Sequence, residues 1–190
     1  MDQSYPQKAR SSIKNLYLRE KQLEGRLDLQ SFVNLEKLDC CFNQLTSLGL
    51  NGLKQLKVVY ANDNLLSKFD YSSLDPQKLT GLIIDNNNLS RQNVEVFSKF
   101  INLEDLRIGS DDREKIDQDI YNRFYGSLEI LKNLTRLGDL SISNIDINGG
   151  VDYLPASVEK IRYSTMRQEC KLKEITEELS SFLNREINED

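Results

Sequence analysis

Apolar residues recur at a regular spacing through most of the chain. The segments that begin at Leu35, Leu56 and Leu79 fit the pattern L-x-x-L-x-L-x-x-N-x-L, in which L stands for an apolar residue and Cys40 fills one such position. These starts lie 21 and 23 residues apart, and self-similarity with a period of about 20–50 residues is typical of solenoids. Three consecutive matches in phase favour an array of stacked units over an ordinary sheet with alternating strands.

Weaker copies of the pattern extend the array in both directions. One begins at Ile13, before the three full copies, and three others begin at Leu103, Leu137 and Val158, after them. The pattern predicts about seven short parallel strands, in which apolar side chains point inward and the intervening side chains point to an open face. Because no single copy can bury its apolar side alone, the stacked copies are expected to share one continuous core.

One step in the array is longer than the others. The fifth and sixth copies start 34 residues apart, so we place an insertion at residues 112–136. Within it Ile116, Ile120 and Phe124 are spaced by four residues, which predicts a helix, and Ser127 can cap a second short helix. The sequence leaves open whether this insertion contacts a partner or is a spacer on the rim of the array.

The two ends of the chain depart from the repeat. Residues 1–12 are polar and have no period, and we interpret them as an N-terminal arm that precedes a solenoid at residues 13–169. Residues 170–190 place apolar side chains, among them Leu172 and Leu179, on one helical face. A membrane-binding or partner-binding helix is the alternative, but its acidic polar face disfavours anionic membranes. We therefore predict a C-terminal capping helix that covers the last copy.

The asparagine at the ninth position of each full copy has a predicted structural role. Asn43, Asn64 and Asn87 follow the strands, where the chain turns sharply. Their amides can both donate and accept hydrogen bonds, and can satisfy backbone groups of the turn and of the next copy. We predict that they form a buried ladder and bind no ligand. Other residues take this position in the outer copies: Lys21, Asp111, Ile145 and Met166.

The composition excludes several kinds of chemistry. The 190 residues include 25 Lys and Arg, 30 Asp and Glu and no His, which gives a formal net charge of −5. Without His the chain cannot form a Ser-His triad or a His-ligated metal centre. The acidic balance disfavours nucleic acid and anionic lipid as partners, and no apolar run approaches the roughly 20 residues of a membrane helix. We predict neither a cofactor nor a bound metal.

The cysteines and the N-terminus point to a reducing compartment. Cys40, Cys41 and Cys170 include no C-x-x-C pair, so they predict neither a disulfide framework nor a zinc site. The first ten residues have no apolar run that would indicate a secretory signal. We expect a cytoplasmic protein that acts as a monomer. A reactive thiol at Cys41 has no imidazole to activate it, and the aspartates of the insertion lack calcium-loop spacing. The chain is therefore not expected to be an enzyme.

The open face of the predicted sheet is the candidate binding surface. Equivalent positions of parallel strands about 4.8 Å apart form rows, and these rows mix aromatic side chains, Arg and carboxylates, a composition suited to binding a protein or peptide. The residues that we predict to contact this unidentified partner are Tyr17, Asp39, Phe42, Tyr60, Asn62, Ile83, Asp85 and Arg107. The alternative is that these positions are simply solvated residues.

With these repeats the chain resembles the leucine-rich-repeat superfamily, in particular its intracellular class of about 22 residues per repeat. Residues 35–48 and 122–135 resemble the large leucine-rich-repeat set of arbuscular mycorrhizal fungi. The resemblance covers about residues 13–185 and implies an α/β fold, a right-handed β-α superhelix shaped as a horseshoe with a parallel concave sheet. It implies a fold but no target.

The expected function follows from the surface and the resemblance together. We expect a non-catalytic protein–protein recognition module that binds a protein or peptide on the concave face. Some members of the family carry the repeats beside a protein-kinase domain, so the alternative is a regulatory or sensor domain that acts beside a catalytic, kinase-type domain.

Overall fold

The computed structural model describes residues 7–184. Its three α-helices span Gln7–Arg10 (α1), Arg113–Asp117 (α2) and Thr176–Asn184 (α3) within that range. Its strands, in chain order, are β1 (Asn15–Tyr17), β2 (Glu24–Asp28), β3 (Lys37–Asp39), β4 (Gln44–Gly49), β5 (Val58–Tyr60), β6 (Gly81–Ile83), β7 (Gln92–Asn93), β8 (Asp105–Arg107), β9 (Phe124–Gly126), β10 (Asp139–Ser141), β11 (Asp146–Ile147) and β12 (Lys160–Arg162).

Seven of these strands form one main sheet with a single direction and a single register. Their spatial order is β1, β3, β5, β6, β8, β10 and β12, and each neighbouring pair is parallel. The central residue of each strand pairs with the central residue of the next. These central residues form one buried row: Leu16, Leu38, Val59, Leu82, Leu106, Leu140 and Ile161. The prediction of about seven short parallel strands is confirmed.

The remainder of each copy forms a second layer. Strands β2 and β4 pair in parallel near the N-terminal end, and β7, β9 and β11 pair in parallel further along the chain. Short 3-10 helices complete this layer at Tyr71–Ser73, Val94–Phe97, Leu128–Leu131, Val151–Tyr153 and Lys171–Ile175. One continuous cluster of buried apolar side chains joins the two layers, as expected for copies that cannot bury their apolar sides alone.

Only part of the insertion forms a helix. Of the three residues spaced by four, Ile116 lies in α2, which ends at Asp117, whereas Phe124 begins strand β9. The Phe124 side chain is fully buried, and its ring centroid lies 5.3 Å from that of Phe97. Phe124 is therefore a core residue of the second layer, because burial of its ring outweighs the local four-residue spacing.

The repeat itself explains why the helix does not extend to Phe124. Asn122-Arg-Phe124 supplies the N-x-L end of the pattern, 11 residues after the ninth position occupied by Asp111. The residues that follow Asn122 form the outer half of a copy, and the additional residues precede it. The side chain of Ser127 accepts a hydrogen bond from the backbone N–H of Glu129 at 3.2 Å, where it caps the 3-10 helix that follows.

Both ends of the described chain are attached to the array. The side-chain amide of Asn34 donates to the carbonyl oxygen of Ser11 at 2.8 Å, so the end of the predicted arm lies against the first copies. At the other end, Leu172 and Ile175 of the last 3-10 helix and Leu179 of α3 are buried against the array. The predictions for residues 1–6 and 185–190 lie outside the described residues. Within the described part, no helix has the length and apolar character needed to cross a bilayer.

Candidate functional site

The predicted ladder asparagines bind the backbone of their own and the preceding copy. Oδ1 of Asn64 accepts a hydrogen bond from the Leu45 N–H at 3.0 Å, and Nδ2 donates to the carbonyl oxygens of Cys40 and Ala61 at 3.0 and 3.2 Å. The equivalent hydrogen bonds are made by Asn43 and Asn87. Every amide group of this set points into the turn after a strand, away from the open face.

A fourth asparagine, Asn122, makes the same set of contacts and was missed by sequence reasoning. Its Oδ1 accepts from the Leu89 N–H at 3.1 Å, and its Nδ2 donates to the carbonyl oxygens of Ile84 and Ile108 at 2.9 and 3.0 Å. It was missed because Asp111 stands at the ninth position of this copy. The N-x-L motif at Asn122 was the signal that could have found it.

Most of the predicted binding residues meet in one shallow cavity on the open face. The cavity has a volume of about 280 Å³. Six of the eight predicted residues line it: Asp39, Tyr60, Asn62, Ile83, Asp85 and Arg107. The register of the sheet brings them together, because Asp39, Tyr60, Ile83 and Arg107 are the last residues of four successive strands. Tyr17 and Phe42 lie outside this cavity.

The N-terminal half of the open face presents aromatic rings and a lysine. Tyr17 is 56% exposed at the end of the edge strand β1. The Lys37 Nζ atom lies 5.9 Å from the centroid of the Tyr17 ring and 5.1 Å from that of Tyr60. At these distances the ammonium group interacts with both ring faces. The described residues offer Lys37 no carboxylate within ion-pair distance, so its charge is available to a ligand.

Ile83, one of the predicted contact residues, is almost completely covered. It is only 3% exposed, because the longer side chains of Tyr60 and Arg107 flank it in register. It supports the floor of the cavity but offers little apolar surface to a partner.

Arg107 is held by acidic residues of its own sheet. Its Nε and Nη2 atoms donate to the two carboxylate oxygens of Asp105, each at 2.9 Å, and Nη2 also donates to Asp139 at 3.3 Å. Asp139 accepts from Arg162 as well. Bidentate pairs of this kind are geometrically specific. Arg107 and Arg162, in the C-terminal half of the open face, are therefore neutralised by aspartates of the sheet, whereas Lys37, in the N-terminal half, makes no ion pair within residues 7–184.

Phe42 occupies an unusual backbone conformation beside the open face. Its φ is +55°, and the equivalent turn positions in the next two copies are Asp63 and Asn86, each with φ +53°. Asp and Asn tolerate the left-handed region better than a bulky side chain does. The Phe42 ring is 43% exposed, and the guanidinium carbon of Arg19 lies 4.4 Å from its centroid.

Two acidic residues of the cavity differ in their surroundings. The Asp39 carboxylate accepts hydrogen bonds from the backbone N–H of Cys41 at 3.3 Å and from its thiol at 2.8 Å. Asp85, by contrast, has one carboxylate oxygen, Oδ1, that is buried and has no hydrogen-bond partner within residues 7–184. Burial, followed by the charge of Asp63, raises the pKa of Asp85 to about 7.

The surroundings of Cys41 do not favour a nucleophilic thiol. Cys41 is 2% exposed, and burial followed by its hydrogen bond to Asp39 raises the pKa of its thiol to about 12, so the nucleophilic thiolate is disfavoured. Within the described residues, no group of three or more Cys, Asp and Glu side chains could hold a metal ion.

The parallel sheet, the repeated register and the short returning segments define a leucine-rich-repeat fold. The structure is similar to the functional domain of InlJ from Listeria monocytogenes, with a TM-score of 0.61 and 18% sequence identity over 83% of this chain. The chain spans 31% of the length of that protein. At this level of identity the similarity concerns the fold alone.

Two further structures are similar over most of their length. Internalin C2 from Listeria monocytogenes has a TM-score of 0.46 and 17% identity, covering 83% of this chain and 84% of that one. The leucine-rich-repeat domain of LRIM1 has a TM-score of 0.42 and 13% identity, covering 100% of this chain and 82% of that one. No family model and no curated protein matches the sequence.

Proposed function

We propose that the chain is a non-catalytic recognition module that binds a protein or peptide segment on the open face of the main sheet. The observation that supports this most directly is the difference between the two halves of that face. Arg107 and Arg162 are neutralised by aspartates of neighbouring strands. Among residues 7–184 Lys37 makes no ion pair, and it lies beside the rings of Tyr17 and Tyr60, so these three side chains remain available to a ligand. We therefore assign recognition to the N-terminal half of the sheet.

The residues of this half have the properties of interface anchors. A tyrosine ring contributes a large contact area at a small cost in side-chain entropy, and its hydroxyl can pair with a polar group. Tyr and Arg are enriched among the interface residues whose truncation costs most affinity. The Phe42 ring, stacked by Arg19, adds an exposed apolar surface beside the same half. Leucine-rich-repeat proteins in general act as protein-interaction modules, which agrees with this assignment.

A defined ligand is needed to test the surface. Random twelve-residue peptides displayed on phage would be selected against the full chain, and the affinities of the selected peptides would be measured by isothermal calorimetry. We expect the double variant Tyr17→Ala, Tyr60→Ala to weaken binding at least tenfold. The matched control is Tyr153→Ala, which removes a tyrosine of similar exposure (53%) from the second layer.

Comparison of the double variant with the control variant Tyr153→Ala also shows which results would contradict the proposal. Circular dichroism and thermal melting establish that each variant is folded. If peptides bind the folded double variant as tightly as wild type, or if Tyr153→Ala causes the loss, the binding surface is not the open face.

The alternative, a regulatory or sensor domain beside a kinase-type catalytic domain, would use the same surface. It differs in its consequence, because occupation of the open face would change the activity of the neighbouring domain. The resemblance to repeats found beside kinase domains supports it, and no contact on the open face favours it over simple recognition.

A further inference from the structure

Lys37 is a cation of the open face that has no acidic partner in the described part of the chain. It begins strand β3 and is partly exposed. Its Nζ atom lies 5.9 Å from the centroid of the Tyr17 ring and 5.1 Å from that of Tyr60, and within residues 7–184 it makes neither an ion pair nor a hydrogen bond. The ring faces interact with the charge of the ammonium group but leave its three N–H donors open to a ligand.

The N-terminal start of the main sheet is locally basic. Residues 14–15, 36–37 and 57–58, at the beginning of β1, β3 and β5, contain three lysines and one carboxylate. Lys14 and Lys57 both pair with that carboxylate, Glu36, at 2.9 and 2.6 Å, and this leaves the charge of Lys37 uncompensated. In a chain with a formal net charge of −5, this end of the face therefore favours an acidic group.

The acidic residues of the neighbouring cavity do not neutralise Lys37. Two acidic residues, Asp39 and Asp85, line the cavity together with three basic ones, Arg19, Lys37 and Arg107. The Asp39 carboxylate accepts hydrogen bonds from the backbone N–H and the thiol of Cys41, and its charge acts on Arg19. Burial raises the pKa of Asp85 to about 7, so its negative charge is incomplete at neutral pH.

We infer that the bound protein or peptide contributes one Asp or Glu side chain, whose carboxylate pairs with the Lys37 Nζ atom beside the rings of Tyr17 and Tyr60. This inference rests on the proposed function and adds the chemistry of the partner to it. The two rings replace part of the solvent around the pair, and a partly buried ion pair is screened by salt less than an exposed one.

The surroundings favour an acidic side chain over a C-terminal carboxylate. Terminal carboxylates are typically captured by several unpaired backbone N–H groups. Here the N–H of Lys37 donates to the carbonyl oxygen of Lys14 at 2.9 Å, and the N–H of Val58 donates to that of Glu36 at 3.2 Å. Because the backbone of these strands is already paired, the site offers one cation on a flexible stem, which suits a single acidic side chain.

A second lysine occupies the equivalent position in different surroundings. Lys160 begins β12, as Lys37 begins β3, and it pairs in register with Asp139. In the described chain no aromatic ring lies over its ammonium group. Lys160 therefore provides a control with the same place in the repeat and the same charge, but without the two tyrosines.

The first probe is a single amino acid, so the test does not require a known partner. Nα-acetyl-glutamate amide would be titrated into the ¹⁵N-labelled chain at pH 7.5 and constant ionic strength, and neutral Nα-acetyl-glutamine amide, which has nearly the same shape, would be titrated in parallel. We expect the glutamate derivative to shift the amide resonances of Tyr17, Lys37 and Tyr60 at least three times more than the glutamine derivative does. Equal shifts from the two derivatives, or no shifts from either, would overturn the inference.

Two lysine variants test the role of Lys37 itself. Lys37→Met removes the charge but keeps an unbranched side chain, and it should abolish the difference between the two derivatives. Lys160→Met should leave that difference unchanged. A difference that persists in Lys37→Met, or one that is lost in Lys160→Met, would contradict the assignment. If Lys37→Met does not fold, the comparison of the two derivatives on wild type and on Lys160→Met decides the question.

The selected peptides separate this inference from the proposed function. They would be synthesised with acetylated N-termini and amidated C-termini, so that their carboxylates come from side chains. Replacing Asp by Asn and Glu by Gln, one position at a time, should identify one position that weakens binding to wild type at least fivefold but leaves binding to Lys37→Met nearly unchanged.

The two ideas can then fail separately. If no position behaves in this way, yet Tyr17→Ala, Tyr60→Ala still removes binding, recognition by the open face stands and the pairing with Lys37 is wrong. If the peptides bind elsewhere, the proposed function fails, and the amino-acid titration decides the pairing independently.

Discussion

Asn122 accepts a hydrogen bond from the backbone N–H of Leu89, which lies 33 residues earlier, at 3.1 Å. Asn87 makes the same bond to the Leu66 N–H at 2.9 Å, across 21 residues. The additional residues before Asn122 change the length of the connection but not the contact that ends it. The chain therefore resumes its repeat after the insertion because a buried amide is again available for the turn.

We expect Asn122→Ala to be as destabilising as the same change at a ladder asparagine. The variant leaves buried carbonyl and N–H groups without partners, which costs about 1–3 kcal/mol in the free energy of unfolding. Urea denaturation of Asn122→Ala, Asn64→Ala and wild type measures this cost. Asn133→Ala, at an exposed asparagine of the same region, is the control and should change stability by less than about 0.5 kcal/mol. Equal stability of Asn122→Ala and wild type would show that the contact is not needed.

Arg107 should contribute more to stability than an ordinary surface arginine does. Arg107→Ala leaves the half-buried carboxylates of Asp105 and Asp139 without their shared donor, and we expect a loss of about 1–2 kcal/mol. Arg136 pairs with Glu104 in a more exposed setting, so Arg136→Ala should cost no more than about 0.5 kcal/mol. Thermal melting of both variants makes the comparison, and a similar small loss in each would contradict the role assigned to Arg107.

Asp85 should make the folded state less stable as the pH rises. Its pKa is about 7 in the folded chain and about 3.9 in an unfolded chain. Between these values the folded state binds more protons, so stability falls with increasing pH over this interval and is constant above it. Asp85→Asn removes this effect, and the variant should gain stability relative to wild type between pH 4 and pH 7, by as much as roughly 4 kcal/mol.

Urea denaturation of wild type and Asp85→Asn at half-unit pH intervals checks this expectation. The difference between the two proteins isolates Asp85, because other titrating groups, such as Glu36 with its pKa lowered to about 2 by hydrogen bonds from Lys57 and Lys14, are common to both. A difference that does not change with pH would rule out a raised pKa at Asp85.

We expect Phe42 to make the folded chain less stable than an asparagine at the same position would. The left-handed conformation at this position costs a bulky residue about 1–2 kcal/mol more than it costs Asn, while the stacking of Arg19 on the ring offsets about 0.5–1 kcal/mol. In an Arg19→Ala background the stacking is already absent, and Phe42→Asn should then raise the free energy of unfolding by about 1 kcal/mol. The same change should weaken peptides selected on the open face. Chemical denaturation that showed destabilisation in this background would mean that the Phe42 ring makes stabilising contacts instead.

The strands could be predicted from the sequence because their signal is local and repeated. Leu38 and Val59 occupy the same place in successive copies, and a shift of one residue would expose every apolar side chain of a strand. The end of the insertion could not be predicted in the same way. Asp111 replaces the asparagine that marks the turn, and the four-residue spacing up to Phe124 imitates a helix.

The composition of the candidate site was also predictable, but the availability of its residues was not. Register alone brings Tyr60, Ile83 and Arg107 side by side. Whether each of them can contact a partner depends on its neighbours in space. Asp139 lies 32 residues from Arg107 in sequence and 3.3 Å from it in the structure, and no local pattern reveals that pair.

The sequence by itself determined the repeat, the parallel sheet, the buried row of apolar residues and the identity of the residues on the open face. These features follow from a pattern of apolar and polar positions that recurs in each copy. The tertiary structure alone decided which of those residues are free. Charges and rings on neighbouring strands come from positions 20 or more residues apart, and their pairing depends on distances across the sheet. In the described part of the chain, these neighbours neutralise Arg107 and cover Ile83, and they leave Asp85 without an ion-pair partner.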